Sequence, residues 1–389
     1  MYIAISPPQR KIKIRKEMGF MQGTFTGKAE LNRIDSKFPY YSEGKTKETG
    51  AKYHRFNLAI VDDKNNRIMT ELFGMVQKEI KTMDTDNNKI SIAWEDRDDK
   101  AIIDNVANFK KNVFSFVDDE RKEFISTYDA VEYLKDHADD LKDNKVGVTV
   151  GISLNVYKGK ISNRYEIRNI YKIDDDKKQQ LKITGDFFFN KDSIDTSEWK
   201  ENKKLIINGY VQGYIQEKKA TMYVPQTIVL DCGKIDFDNE NHVKQLRFKL
   251  SCINCDFKDG KISTKLKSST MYKIGVILRY NNSAQEVDFD ESMLTDKQKM
   301  AIDLGLKTIE DYMKGTRVFG ERVTEFKLVD FQIEKQDYAD GCIDLEIKTS
   351  EFEEDVFIPD EEENESILDN AINPPEDENN EDDGESLFD

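Results

Sequence analysis

Apolar and polar residues alternate at period two along much of this 389-residue chain. That is the pattern of strands that bury one face and expose the other. The longest run is Val146–Val156. Val146, Val148, Val150, Ile152, Leu154 and Val156 share one face, and Gly147, Thr149, Gly151, Ser153 and Asn155 the other. Shorter runs at Met21–Leu31, His54–Ile60, Ile68–Val76, Tyr165–Ile173, Leu205–Ile215, Leu246–Cys252 and Tyr272–Tyr280 predict further strands. Turn chemistry separates them at Asp62–Asn66, Lys158–Lys160, Asp259-Gly260 and Asn281-Asn282. Helical spacing is rarer. Val131, Leu134, Ala138 and Leu141 form one stripe, with Thr127 as the expected N-cap. A second helix is expected behind the capping box Thr295–Gln298, with Ile302, Leu306, Ile309 and Met313 as its stripe and Gly315 at its end.

The polar bridge Asp174–Gln180 separates two β-rich halves. Each has several strands, one clear helix and a late charged strand, Asn163–Ile173 in the first and Arg322–Ile333 in the second. This predicts two copies of one small β-barrel, joined between Asp174 and Lys204: residues 1–178 with an N-terminal extension, then 179–350. Charge isolates a third segment. The chain carries 59 Lys and Arg against 76 Asp and Glu, but residues 351–389 hold 18 of the acids and no base, so residues 1–350 are close to neutral. Asp, Glu, Asn, Ser and Pro dominate residues 359–386. Such a composition cannot bury enough surface to offset its ordering entropy, so 351–389 is expected to be a disordered acidic tail.

Composition also narrows the function. No apolar run approaches the length that spans a bilayer, and Met1–Pro8 lacks the basic start and apolar stretch of a signal peptide. Four cysteines are no disulfide framework, which points to a reducing, cytoplasmic setting. The three histidines, His54, His137 and His242, have no visible Ser or Cys partner, and no Gly-rich phosphate loop occurs. No enzyme and no cofactor are expected. Cys252 and Cys255 form a C-x-x-C that, with Cys232 and His242, could supply four zinc ligands. A second C-x-x-C is missing, and buried thiols are the simpler assignment.

The outward strand faces are more informative. Phe56, Leu58 and Ile60 inward put Tyr53, Arg55 and Asn57 outward, and Ile68 and Leu72 inward put Met69 and Phe73 outward. The same alternation exposes Arg164 and Arg168, then Tyr210 and Tyr214, then Arg247 and Lys249, then Lys273 and Arg279, with Lys28 on the first strand. Tyr40 and Tyr41, among Lys37, Lys45 and Lys47, form a mobile basic-aromatic loop. Tyr and Arg are ordinary strand residues singly. Their recurrence on outward faces in both halves is what single-stranded nucleic acid requires: rings on which bases stack and cations along the phosphates.

The chain ends Glu381-Asp382-Asp383-Gly384-Glu385-Ser386-Leu387-Phe388-Asp389. An apolar pair on an anionic chain has the form of a short docking motif, with charge for steering and Leu387-Phe388 to fill a small pocket. This tail, and more weakly Leu72-Phe73-Gly74 on the third predicted strand, resembles the single-stranded-DNA-binding proteins of bacteria and bacteriophages. The bacterial tip is Pro-Phe at the very end, whereas here Asp389 follows Phe388. The resemblance implies OB-folds, here two in tandem from the repeated halves where the bacterial proteins usually hold one, that coat single-stranded DNA in replication, repair and recombination. It also implies that Asp382, Asp383, Glu385, Leu387 and Phe388 recruit replication or recombination proteins. The alternative is an interaction or inhibitor protein whose acidic tail mimics DNA.

Overall fold

The computed structural model describes residues 21–47, 49–118, 120–157, 160–215, 220–282, 284–286, 300, 302, 319–322, 324–332, 343 and 345–357. Strands predominate among them. The first half holds β1 (Gln22–Glu30), β2 (Tyr41–Lys45), β3 (Lys52–Val61), β4 (Arg67–Met75), the hairpin β5–β6 (Glu79–Met83, Lys89–Ala93), α1 (Lys100–Asn105), the pair β7–β8 (Asn112–Ser115, Lys122–Phe124), α2 (Thr127–Asp136), α3 (Ala138–Leu141) and the long hairpin β9–β10 (Lys145–Tyr157, Lys160–Lys172). β1 pairs antiparallel with β3 and β9, β3 with β4, and β9 with β10; β4 meets β10 in parallel at Glu71 and Glu166. These pairings close a ring in the order β1, β3, β4, β10, β9. α2 follows the ring's third strand and precedes its fourth.

The second half repeats the scheme. It holds β11 (Gln180–Phe189), β12 (Ile194–Asp195), α4 (Trp199–Asn202), β13 (Lys204–Ile215), β14 (Ala220–Asp231), α5 (Glu240–Cys252), β15–β16 (Cys255–Lys258, Lys261–Thr264), β17 (Thr270–Asn281), β18–β19 (Ala284–Glu286, Phe319–Arg322), β20 (Glu325–Phe331), β21 (Leu345–Lys348) and α6 (Thr349–Glu353). β11 pairs with β13 and β17, β13 with β14, β17 with β20, and β14 meets β20 in parallel at Val229 and Lys327. Counted along the chain, the third and fifth ring strands are therefore parallel in both halves, and a helix again separates the third from the fourth.

Alternation sets the cores. Phe56, Leu58 and Ile60 of β3 and Val146, Val148 and Val150 of β9 are buried, as are Leu205, Ile207 and Val211 of β13. They belong to one continuous cluster running through both rings, which Tyr165 and Tyr280 bridge edge to face. Gln22–Thr26 of β1 lie antiparallel to Gln180–Thr184 of β11, so the first strands of the two rings share one sheet. Between this pairing and that of Lys28–Glu30 with β3 sits Gly27, where a Cβ would strike the Val61 carbonyl. Only glycine lets β1 change partner so abruptly. A buried amide clasp adds to the join. Asn282 donates its side-chain NH₂ to the Arg67 carbonyl (2.6 Å) and its backbone NH to Asn66 Oδ1 (3.0 Å), and accepts from the Arg67 NH (2.7 Å). Asn66, fully buried, donates to Asp62 (2.9 Å), so these buried amides are hydrogen-bonded rather than left costing their desolvation.

Several expectations need correction. Leu246–Cys252 is the end of helix α5, not a strand; Leu246 and Leu250 are buried at helical spacing and Phe248 points out. The upstream cap, Asn239 accepting from the Asn241 and His242 amides, decides for helix over a segment that fits both periods. α2 is capped by Ser126 rather than Thr127. A bulge between Ile167 and Asn169 turns Ile170 inward and puts Tyr171 outside, over Gly147. Tyr40 and Tyr41 are not in a free loop, since Tyr41 opens β2, paired with β3. Residues 351–357 belong to the folded body, with Phe352 and Phe357 buried. The second predicted helix lies outside the described residues apart from Met300 and Ile302.

Candidate nucleic-acid interface

On the outer face of the first ring, β3 and β4 are in register with Arg55 opposite Phe73 and Tyr53 opposite Met75. Directly opposed side chains share a face. The Tyr53 and Phe73 rings stand 5.4 Å apart and 34° from parallel, and the Arg55 guanidinium lies 5.5 Å from the centre of the Phe73 ring. Both rings are half-buried, and no third aromatic ring contacts the pair among the described residues. Beside them β10 turns out Arg164 and Arg168, as the alternation predicts. Each arginine meets a carboxylate. Arg55 lies 3.8 Å from Glu71, Arg164 also binds Glu71 and approaches Glu166 (4.0 Å), and Arg168 holds Glu166 at 3.2 Å. The face therefore carries an alternating ladder, Arg55–Glu71–Arg164–Glu166–Arg168, rather than free cations. A phosphate would have to outbid two carboxylates for it.

Tyr40 and Tyr41 do not join this pair: Tyr41 lies opposite the inward-facing Phe56, and both tyrosines pack against the core. Tyr40 packs edge-on against Phe56 (5.8 Å). Tyr41 donates its hydroxyl to Glu43 (2.6 Å), and Lys135 of α2 sits 4.5 Å over its ring. Burial, and then the bond to Glu43, raise the Tyr41 phenol well above the usual range. Lys28 is remote from the aromatic pair. It lies opposite Val61, six residues along β3 from Arg55 or roughly 20 Å of strand, and is paired with Asp143 at 2.8 Å.

In the second ring Tyr210 and Tyr214 face outward on β13 as expected, but in different settings. Tyr214 is exposed. Tyr210 lies under α6, its ring edge-on to Phe352 at 5.2 Å. Phe352 also stacks on Tyr223 of β14, centroids 3.9 Å apart and 24° from parallel. Lys273 is partly buried and paired with Asp186 (3.3 Å), whose carboxyl burial lifts above the ordinary range against the pull of that lysine. Arg279 lies opposite Lys182 on β11 and Lys327 on β20, a row of three bases across adjacent strands. Lys327 binds Asp231 (2.9 Å). Arg247 and Lys249 are on α5, where Lys249 donates to the Val329 carbonyl (2.8 Å), so they do not belong to a strand face.

The zinc candidates separate by chemistry. Cys232, Cys252 and Cys255 are buried free thiols, and burial pushes Cys232 up to about 12 and raises Cys255. His242 Nδ1 accepts from the Asp236 amide at 3.3 Å. Among the described residues no group of three or more His, Cys, Asp and Glu side chains could hold a metal. Asp382, Asp383, Glu385, Leu387 and Phe388 lie outside the described residues.

Residues that sequence reasoning missed are Tyr223, Lys182 and Lys327, and the two carboxylates that occupy the arginines. Lys182 was legible, because Leu181 and Ile183 are buried on either side of it. Tyr223 was not, because Pro225 argues against a strand. Yet Tyr223 donates its amide to the Asp355 carbonyl, away from β13, and by alternation Pro225 turns its missing donor to that same side.

No family model matches the chain, and no curated protein matches it by sequence. Among solved structures, a similar one is the crystal structure of a deletion mutant of the single-stranded DNA binding protein from Thermus aquaticus. Identity is 8% and the TM-score 0.31, over 82% of this chain and 97% of that one.

Proposed function

We propose that this chain is a non-catalytic single-stranded-DNA-binding protein built from two OB-like rings, residues 1–178 and 179–350, followed by an acidic partner-recruiting tail. The observation that carries this is the first ring's outer face. Tyr53 and Phe73 stand side by side on the second and third ring strands with Arg55, Arg164 and Arg168 beside them. In OB-folds the face of strands two and three, with the adjoining loops, takes up oligonucleotides. The strand order of both rings and the helix between their third and fourth strands support assignment to that fold.

In mechanism, bases stack on the rings while phosphates draw the arginines away from Glu71 and Glu166. Stacking is indifferent to base identity, so binding is general rather than sequence-specific. The tip around Leu387 and Phe388 then docks replication or recombination proteins in a bacterial or phage-infected cytoplasm. The carboxylate ladder favours a second reading, an interaction protein with no DNA affinity of its own. Titrating labelled oligo-dT and a duplex of equal length separates the two. Single strands should bind much more tightly; equal binding, or none, overturns the proposal.

A further inference from the structure

The second ring's outer face carries aromatic side chains in positions matching those of the first, and the chain itself covers them. β13 and β14 correspond in ring order to β3 and β4, and their register sets Tyr210 opposite Pro225 and Gln212 opposite Tyr223. From β21, which stays paired with β17, the chain turns into the single-turn helix α6 and runs to Phe357 across this face. Phe352 of α6 is sandwiched there: stacked on Tyr223, edge-on to Tyr210, and 5.7 Å from Phe188. An aromatic ring 3.9 Å from a tyrosine and nearly parallel to it has the geometry of a base on a stacking platform.

We propose that this face is a second, latent base-stacking site centred on Tyr223, and that Phe352 holds the place of a nucleobase until single-stranded DNA displaces the strap 349–357. The inference rests on the single-stranded-DNA reading above. Three features make the strap displaceable. α6 has five residues and no side-chain cap, so it contributes little stability of its own. The polar ties are few: the Tyr223 amide to the Asp355 carbonyl (2.9 Å), the Phe357 amide back to the Tyr223 carbonyl (2.8 Å), and Thr349 to the Ser268 and Ser269 carbonyls (2.8 and 3.1 Å). Glu351, Glu353, Glu354 and Asp355 are exposed on the strap, so phosphates arriving at this face repel it as well as compete with it. Exposed Tyr214, opposite Thr221 on the same face, offers an incoming strand its first base contact beside the covered platform. The first ring has no counterpart to Phe352 among the described residues, so the two faces fill in sequence, first ring before second.

The test compares full-length proteins: intact, Phe352→Ala, Phe357→Ala, and Phe352→Ala combined with Tyr223→Ala. The readout is the number of nucleotides occluded per chain in stoichiometric titrations with poly-dT at low salt, with protein in excess so that the intact chain engages DNA through its first ring alone. Each single variant loosens the strap at a different anchor and should occlude about 4 or more additional nucleotides relative to the intact chain. Removing Tyr223 as well should return the value to that of the intact chain. Unchanged occlusion in both folded single variants overturns the proposal. Loss of the cooperative folding transition in both also overturns it, because a strap that cannot leave without unfolding the ring cannot gate a site. Failure of the intact chain itself to bind poly-dT would instead refute the underlying functional reading.

Discussion

Alanine at both Tyr53 and Phe73 in the full chain removes the two rings that stand side by side on the first ring's outer face. A stacked base is worth about 1–3 kcal/mol by such substitution. The two rings are only 5.4 Å apart, so on this proposal they would hold neighbouring bases jointly and the effects of the two substitutions would not simply add. We therefore expect about 2–4 kcal/mol for the pair, which at about 1.4 kcal/mol per decade is a roughly 30- to 1,000-fold weakening. Folding should change far less. Both side chains are half-buried on the solvent side, while the adjoining core is made by Phe56, Leu58 and Leu72 on the opposite face. Besides the packing of the two rings on each other, the substitutions remove chiefly the Arg55–Phe73 cation–π pair, worth about 0.5–1 kcal/mol at an exposed site. Fluorescence polarisation with a labelled dT oligomer, alongside a thermal melt of the same samples, reads both quantities. Affinity within about twofold of the intact chain, with the melt preserved, would refute the placement of DNA on this face.

Three further perturbations probe the carboxylate ladder, the seat of α2 and the C-terminal tip. Glu71→Gln should strengthen single-strand binding several-fold and steepen its log–log salt dependence by about 0.7 per additional phosphate engaged, because it frees Arg55 and Arg164; weaker binding would contradict the competing-carboxylate account. Gly74→Ala should destabilise the fold by about 2 kcal/mol or more in denaturant titration, since the added Cβ meets the backbone of Thr127 and Tyr128 where α2 begins; a neutral effect would mean α2 does not rest on β4 at that point. Leu387→Ala with Phe388→Ala should abolish capture of replication or recombination proteins from a host lysate while leaving oligo-dT affinity unchanged, as no acid is removed; retention of every captured partner would make the tip incidental.

The inward faces of β3, β4, β9 and β13 were legible in their alternation because each strand has one apolar side against a core. Tyr53, Arg55 and Phe73 were placed correctly for that reason. What failed was information carried between distant segments. Arg164 meets Glu71 across 93 positions, so the neutralisation of the arginines could not be read from local pattern. Phe248, Leu250 and Cys252 alternate like a strand, and only the cap at Asn239, before the apolar run, marks the helix. Phe352 and Phe357 sit among Glu351, Glu353, Glu354 and Asp355, and composition assigned them to the tail. Two aromatic residues in so acidic a stretch were the available signal. Their destination, Tyr223 and the β13–β14 face, depends on how the second ring closes.

The most direct measurement is photo-crosslinking of the intact chain to a dT oligomer carrying scattered 5-iodouracil, with the adducts mapped by mass spectrometry. Bases stacked on the first ring should give adducts at Tyr53 and Phe73 that unlabelled single strands abolish and duplex does not. Adducts confined to α5 and the second ring, or adducts that duplex removes equally well, would contradict a single-strand site on β3 and β4.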